Sequence, residues 1–146
     1  MAGPASRLTT LFMGGKTDCY VDTSALIAFL DRSDSYHSLF RRLFAKPPRL
    51  ITSSLVIAEG HGWFLRRYDQ RRAMQFLAFI DSLPRLDVRG FDVEALAGAT
   101  PVVKKFADQK LTLADAHGLA LMGQLKIGCC WSTDRHLSLG GVPLVY

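Results

Sequence analysis

The sequence predicts an α/β protein, a three-layer α/β/α sandwich with a five-stranded parallel sheet. Short apolar segments alternate along the chain with longer segments of helical periodicity, and parallel strands joined by helices need this alternation. The chain has 146 residues, 49% of them hydrophobic, so it is long enough to bury a core and too apolar to be disordered. We expect residues 1–17 to form a loose N-terminal leader and residues 18–146 to form one domain.

The predicted strands are short, and helical segments separate them. The strands are residues 19–21, 50–52, 86–88, 127–131 and 142–145. Helices are predicted from a cap at residues 22–24 to residue 30, around residues 36–43, over 55–68, 70–83 and 112–125, and as a short turn at 135–139. A further helical pattern begins at residue 92. We expect it to break or restart at Thr100 and Pro101, because proline suits a first helical position.

Composition limits the location and the type of site. No apolar run approaches the roughly 18 residues that span a membrane, and the N-terminal stretch is too weakly apolar for a secretory signal. We therefore expect a cytoplasmic protein. The chain has three cysteines. Their spacing contains no CxxC pair, so no zinc site is predicted, and their odd number argues against a disulfide framework.

The chain is basic, with a net charge of +5. A basic domain favours a polyanionic partner such as nucleic acid, although many proteins are this basic without binding one. Pairs of cations recur in the predicted helices: Arg41 and Arg42, Arg66 and Arg67, Arg71 and Arg72, Lys104 and Lys105. These pairs either contact phosphates or form solvated helix faces.

Four acidic residues lie where the predicted topology brings them to one edge of the sheet. Asp22 and Asp134 follow strands, whereas Glu59 and Asp115 lie early in helices that start at the same edge. Open parallel sheets bind ligands beyond the carboxyl ends of their strands. A cluster of carboxylates with no histidine or cysteine ligand suits Mg²⁺ or Mn²⁺. Taken singly, each acid is explained as a cap, a turn or a solvated residue; Asp115 has capping-box spacing from Thr112.

Four short motifs carry these acids and resemble, in order and spacing, the motifs of the PIN-domain family of metal-dependent ribonucleases. They are Val21-Asp22-Thr23-Ser24-Ala25-Leu26, the segment 53–59 followed by Arg66-Arg67, Leu111-Thr112-Leu113-Ala114-Asp115-Ala116, and Ser132-Thr133-Asp134-Arg135-His136. The resemblance covers about residues 20–145 and is strongest to the small toxins of VapBC toxin–antitoxin modules. It implies that residues 18–146 are a PIN-like nuclease domain.

The resemblance also implies roles for individual residues. Asp22, Glu59, Asp115 and Asp134 would form the catalytic, metal-binding quartet, with Asp22 and Asp115 as direct ligands of Mg²⁺ or Mn²⁺. Thr133 would orient a water molecule or a carboxylate. Independently of the resemblance, the position of His136 beside Asp134 suits a substrate contact or a helix cap. Arg66 and Arg67 would bind RNA.

The implied reaction is hydrolysis of RNA phosphodiester bonds by metal-activated water. The leading hypothesis is a toxin inhibited by a protein antitoxin. Two alternatives stay open: an RNA-processing PIN nuclease without an antitoxin, and a non-catalytic PIN-like RNA-binding module. We also predict a homodimer, because four aromatic side chains on two adjacent helices would exceed what one sheet face needs, although each could instead be core. These are Trp63, Phe64, Phe76 and Phe79.

Overall fold

A computed structural model of the protein describes residues 18–145, so the predicted leader lies outside the described residues. The described part contains five strands, six α-helices and two short 3-10 segments. In chain order they are β1 (Cys19–Val21), α1 (Thr23–Leu30), α2 (His37–Ala45), β2 (Leu50–Ser53), α3 (Ser54–Arg67), α4 (Gln70–Ser82), β3 (Leu86–Arg89), α5 (Val93–Lys105), the 3-10 segment Ala107–Gln109, α6 (Leu113–Gln124), β4 (Cys129–Trp131), the 3-10 segment Arg135–Ser138 and β5 (Leu144–Val145). None of these helices is long and apolar enough to cross a membrane.

All five strands are parallel and form one sheet in the order β3-β2-β1-β4-β5. The predicted fold class is therefore confirmed. From the central strand β1 the chain builds one half of the sheet with β2 and β3, then crosses to build the other half with β4 and β5. Open sheets bind ligands outside the carboxyl ends of their strands at such a change of direction. Here that crevice lies between the ends of β1 and β4.

The central strand is fully buried, as expected for parallel strands covered by helices on both faces. Tyr20 in β1 has no exposed surface, and its ring lies directly against Gly118 in α6. A Cβ atom at position 118 would lie 2.9 Å from the Tyr20 hydroxyl oxygen, so this close approach requires glycine. The contact fixes α6, which carries Asp115, against the strand that leads into Asp22.

The four aromatic residues on which the homodimer prediction rested pack within the monomer. Phe64 and Phe76 are completely buried, and their ring centroids are 5.7 Å apart. The ring of Phe79 stacks on Phe29 at 4.5 Å. Trp63 is partly buried against the same core. The argument that these residues exceed the needs of one monomer is therefore wrong, and the homodimer stays a prediction without that support.

The cysteines depart from the sequence prediction. Cys19 and Cys129 lie opposite each other in the register of β1 and β4, with Cα atoms 4.8 Å apart, and their sulfur atoms form a disulfide. The odd number of cysteines argued against a disulfide, but two of the three pair and only Cys130 remains free. Cys130 is buried, and burial raises the pKa of its thiol. Disulfides persist mainly in oxidising compartments. The cysteine count therefore no longer supports the predicted cytoplasmic location, which stays a prediction.

Helix α5 corrects one further expectation. It runs without interruption through Pro101, where the sequence predicted a break or a new start. The fixed φ angle of proline is compatible with a helix, and what proline removes is one N–H donor to the preceding turn. The hydroxyl of Thr100 donates to the carbonyl of Leu96 at 2.8 Å in that same turn. A single missing hydrogen bond is therefore tolerated without ending the helix.

Candidate active site

The carboxylate of Asp22 is buried at the point where β1 ends and α1 begins. Asp22 is the N-cap residue of α1, but its side chain makes no capping hydrogen bond. Its Oδ2 atom instead accepts hydrogen bonds from the hydroxyls of Ser24 at 3.1 Å and Ser132 at 2.9 Å. The backbone N–H of Asp22 donates to the carbonyl of Trp131 at 3.0 Å. The side chain is therefore held by groups from both β-strand ends and is not used as a cap.

Two serines to which sequence reasoning gave no part in the site connect the two strand ends; Ser24 was predicted only as a possible helix cap. Ser24 accepts a hydrogen bond from the backbone N–H of Thr133 at 3.0 Å, and Ser132 accepts one from the backbone N–H of Asp134 at 2.9 Å. The two serine hydroxyl oxygens are 3.3 Å apart. The available signal was a serine two residues after Asp22 and another two residues before Asp134. It becomes meaningful only when β1 and β4 are known to be neighbours.

Asp115 both caps a helix and faces the crevice region. It forms a capping box at the start of α6: its backbone N–H donates to Thr112 Oγ1 at 3.1 Å, and its Oδ2 accepts from the backbone N–H of Thr112 at 3.2 Å. The predicted capping role is therefore confirmed. Its Oδ2 is also 3.6 Å from Nδ1 of His136, so capping does not remove the carboxylate from the acidic cluster.

Asp134 follows β4 and begins the 3-10 segment that carries His136. Its Oδ1 atom accepts from the backbone N–H of His136 at 3.0 Å and lies 3.4 Å from the Nδ1 atom of the same residue. Ligand atoms of Asp115, Asp134 and His136 all lie within 4.8 Å of one another. The histidine therefore belongs to the group of side chains that could hold a metal ion, a role that the sequence did not assign to it.

Glu59 lies in the second turn of α3 and faces the same acids. The hydroxyl of Thr23 lies 3.5 Å from its Oε1 atom, at the outer limit of a hydrogen bond. Glu59 is an exposed residue, but partial desolvation of its carboxylate, and then the negative charges of Asp22 and Asp115, raise its pKa. The hydrogen bond from Thr23 acts in the opposite direction. The rise in pKa shows that Glu59 shares an electrostatic environment with the other three acids.

The pKa of Asp22 is also raised, chiefly because the carboxylate is buried. The hydrogen bond from Ser132 lowers it, and the charges of Asp134 and Asp115 raise it further. A buried carboxylate beside like charges is destabilised in its ionised form. Neutralising this group of acids therefore requires protons or a cation.

The donor atoms fit a hard divalent cation. Four carboxylates converge at the crevice; Cys19 and Cys129 are joined in a disulfide, and Cys130, near Asp22 and Asp134, is a buried thiol whose pKa is raised. Oxygen donors suit Mg²⁺ and Mn²⁺, and a single imidazole nitrogen is compatible with Mn²⁺. The structure groups Asp115 with Asp134, whereas the sequence placed Asp22 and Asp115 together as direct ligands. Asp22 and Glu59 are linked to that pair because the charges of Asp115 and Asp134 contribute to the raised pKa of each of them.

The remaining predicted residues occupy different environments. Thr133 adjoins the cluster and contributes a backbone N–H to Ser24. Arg66 and Arg67 are exposed in the last turn of α3. His117 is buried with its Nδ1 atom 2.6 Å from the hydroxyl oxygen of Ser53, and burial lowers its pKa. It therefore links α6 to the end of β2.

The family model that matches the chain is the PIN domain, over residues 19–139. The chain belongs to the PIN-domain family. The match contains all four acids and both serines, so the cluster lies wholly within the family domain. Among curated proteins, the comparison gives no match.

Solved structures with the same fold are toxins of toxin–antitoxin modules. The VapC20 toxin of Mycobacterium tuberculosis, described as cleaving the sarcin–ricin loop, is 26% identical with a TM-score of 0.76, and the alignment covers 85% of this chain and 95% of that one. A toxin–antitoxin complex from Klebsiella pneumoniae is 17% identical with a TM-score of 0.58, covering 88% and 96%. VapBC2 of Rickettsia felis, bound to a DNA fragment from its promoter, is 14% identical with a TM-score of 0.59, covering 88% and 97%.

Proposed function

We propose that this chain is a metal-dependent ribonuclease that hydrolyses RNA phosphodiester bonds, and that it is the toxin of a type II toxin–antitoxin module. The observation that carries this proposal is the convergence of four carboxylates at the switch in strand order. Burial is the largest cause of the raised pKa values of Asp22 and Glu59, and the negative charges of the neighbouring acids raise them further. Membership of the PIN family and the likeness to VapC toxins support the same conclusion.

Mg²⁺ or Mn²⁺ would be held by the catalytic quartet Asp22, Glu59, Asp115 and Asp134. When bound, such a cation lowers the pKa of water and neutralises charge on a phosphodiester. The chain's own residues would hold this cation and orient the acids. The quartet concentrates negative charge, and a bound cation would offset the repulsion, so the folded site favours cation binding.

The chain's own residues orient these acids. Ser24 and Ser132 fix Asp22, and the backbone N–H of Thr112 fixes Asp115. Thr133, which adjoins Asp134, would orient a water molecule or a carboxylate. A carboxylate held by directed hydrogen bonds loses little freedom on binding its ligand, and such supporting bonds commonly tune affinity and activity.

Arg66 and Arg67 would contact the RNA backbone. They extend from the C-terminal end of α3, the helix that carries Glu59 in its second turn. Contacts between arginine and phosphate position a nucleic acid without reading its sequence. The sarcin–ricin loop is the first substrate to test, because the neighbour VapC20 is described as cleaving it.

A protein antitoxin is the proposed inhibitor. Two of the structural neighbours are described as a toxin–antitoxin complex and as VapBC2. If an antitoxin covers the acidic crevice, co-expression should restore growth of bacteria that the chain alone arrests. The alternative of an RNA-processing nuclease predicts RNA cleavage without growth arrest, and a non-catalytic module predicts RNA binding without cleavage.

The direct test is a cleavage assay on total RNA and on a sarcin–ricin loop oligonucleotide. The wild type should cleave with Mg²⁺ or Mn²⁺ and stop when chelator is in excess. Asp22→Asn should be inactive, whereas Asp81→Asn, a matched change at an exposed acid outside the cluster, should cleave like the wild type. Undiminished cleavage by Asp22→Asn or in chelator would refute the metal mechanism.

We further propose that the chain forms a homodimer in solution. Large apolar side chains are exposed on α3 and α4, with Leu65 42% and Met74 52% accessible. Contiguous exposed apolar surface often marks protein interfaces, and we propose that these side chains contribute to one. Light scattering at micromolar concentration should give twice the monomer mass, and a monomer mass would contradict the proposal.

A further inference from the structure

A second concave surface lies away from the acids, at the far ends of two helices that begin beside them. Its volume is about 560 Å³, and it is lined by the arginines Arg32, Arg71 and Arg72 together with Asp31, Ser33 and Tyr68. We refer to it as the arginine pocket. Helix α1 begins directly after Asp22 and has eight residues, which corresponds to about 12 Å. The pocket is therefore too distant for the scissile phosphate itself.

The arginine pocket carries an excess of positive charge. Three arginines face one carboxylate, that of Asp31, and among the described residues none of these arginines forms an ion pair within 4 Å. Arg32 and Arg71 are exposed to solvent. Arginine presents five N–H donors in a planar arrangement that matches phosphate oxygens. This excess of unused donors suits an anionic ligand.

The single acid in the pocket is already committed to other partners. Oδ1 of Asp31 accepts hydrogen bonds from the backbone N–H of Ser33 at 3.1 Å, from the Ser33 hydroxyl at 2.7 Å and from the Tyr68 hydroxyl at 3.0 Å. Burial alone would raise the pKa of Asp31, but these bonds and the charge of Arg72 lower it. Asp31 therefore organises the pocket wall and leaves the arginines available.

The aromatic ring in the pocket is covered by arginine side chains. The guanidinium carbon of Arg72 is 4.4 Å from the centroid of the Tyr68 ring, and that of Arg67 is 5.5 Å away. Nη2 of Arg72 also donates to the carbonyl of Leu30 at 3.2 Å. These contacts hold Arg72 in place and occupy the tyrosine that a base would need for stacking. The pocket is built to bind phosphate and not to read bases.

A basic path connects the pocket with the acids. Arg66 lies seven residues after Glu59 in α3, so the two side chains share a helix face about 10 Å apart. Tyr68 and the pocket follow directly at the end of that helix. Arg71 and Arg72 come from the first turn of α4, the end at which a helix favours anions.

We propose that the arginine pocket binds a backbone phosphate of the RNA substrate, on a nucleotide that flanks the cleavage site. This inference rests on the proposed function and assigns a second contact to the same substrate. The pocket would set the position of the RNA on the protein without contributing to the chemical step. It should therefore affect KM for long substrates and leave kcat unchanged.

The test measures RNA binding in EDTA, where metal-dependent cleavage is absent. Single-stranded RNA should bind the double variant Arg32→Gln/Arg71→Gln more weakly, and the slope of log affinity against log salt should fall by about 0.7 for each phosphate that the variant no longer neutralises. Arg85→Gln, an exposed arginine on a different surface groove, is the matched control and should keep the wild-type slope. The double variant Arg32→Lys/Arg71→Lys keeps both positive charges, so it should retain most of the wild-type RNA affinity and salt slope.

Cleavage of two substrates separates this inference from the proposed function. With Mn²⁺, the glutamine double variant should show a raised KM for a long RNA and wild-type rates for a short oligonucleotide that spans only the acidic crevice. A wild-type salt slope together with normal cleavage would overturn the pocket assignment alone. A lowered slope in a chain that cleaves no RNA would overturn the proposed function and leave the pocket standing. The glutamine double variant should also be tested for binding to an acidic peptide. If it loses peptide binding while its RNA binding is unchanged, the pocket binds a protein partner and the inference is overturned.

Discussion

Substituting Asp22 by asparagine should stabilise the metal-free protein while abolishing its activity. Asp22 is 7% exposed as a residue. Burial, and to a lesser extent the charges of Asp134 and Asp115, raise the pKa of its carboxyl, whereas the hydrogen bond from Ser132 lowers it. Asparagine is nearly isosteric and uncharged. It retains one oxygen that can accept from Ser24 and Ser132, so the change removes charge with little loss of shape.

The sign of the effect follows from proton linkage. A carboxyl whose pKa is higher in the folded protein than in the unfolded chain favours folding below the unfolded value, about 3.9 for aspartate. That contribution is lost as the pH rises through the folded pKa. At pH 7 the ionised Asp22 therefore lowers stability, and each unit of upward shift corresponds to about 1.4 kcal/mol. Asp22→Asn should therefore raise the free energy of unfolding and the Tm of the metal-free protein at pH 7, with roughly 2–4 °C in Tm for each kcal/mol recovered in a chain of this size.

The assay is thermal melting of wild type and variant in EDTA between pH 4 and pH 8. The variant should melt above the wild type at pH 7, and the difference should shrink as the pH falls towards 4 and Asp22 becomes protonated. Excess Mn²⁺ should raise the Tm of the wild type by mass action and that of the variant much less. Asp81→Asn, at an exposed position, should follow the wild type throughout.

One result would refute the reasoning about Asp22. If Asp22→Asn melts below the wild type in EDTA at pH 7 and gains as much from Mn²⁺, the carboxylate is a structural hydrogen-bond acceptor. The site assignment at Asp22 would then be wrong.

Three other perturbations test separate parts of the molecule. Tyr20→Phe removes a buried hydroxyl that lies near Thr52 but makes no hydrogen bond of ordinary geometry among residues 18–145, and the change should raise stability in chemical denaturation by about 1 kcal/mol; a decrease would show that Thr52 is a partner. Reduction of the Cys19–Cys129 bond, which closes a loop of 110 residues, should lower stability by up to about 4–5 kcal/mol, and Cys19→Ser should not respond to reductant. Arg66→Glu with Arg67→Glu should weaken RNA binding and flatten its salt dependence; an unchanged slope would place both outside the RNA path.

The sequence predicted the sheet and the places of the acids because both depend on local patterns. Most strands are short apolar runs, although β3 alternates apolar with charged residues, and the aspartate that follows β1 or β4 is visible without any tertiary information. The capping box of Thr112 and Asp115 is likewise encoded in a four-residue spacing. Alternation of strands and helices then determined the parallel sheet.

What the sequence did not reveal depends on which strands are neighbours and how they align. The disulfide requires Cys19 to face Cys129, a pairing set by the register of β1 and β4. The bond between Ser132 and Asp22 spans 110 residues for the same reason. Burial of Phe64 and Phe76 depends on how α3 packs on α4, and helical periodicity alone could not separate core from interface.

The most direct test of the central claim is the rate of RNA cleavage at rising Mn²⁺ concentration for the wild type and for Asp115→Asn. The assay uses enzyme in saturating excess over a labelled RNA oligonucleotide, so that the measured rate is the rate of the cleavage step. The wild-type rate should rise from zero in chelator to a plateau. The variant should cleave more than about 100-fold slower, because removing even an outer partner of a metal ligand typically costs 10–100-fold. Cleavage by the wild type in excess chelator, or an identical Mn²⁺ dependence in the variant, would contradict a metal-dependent ribonuclease site at these acids.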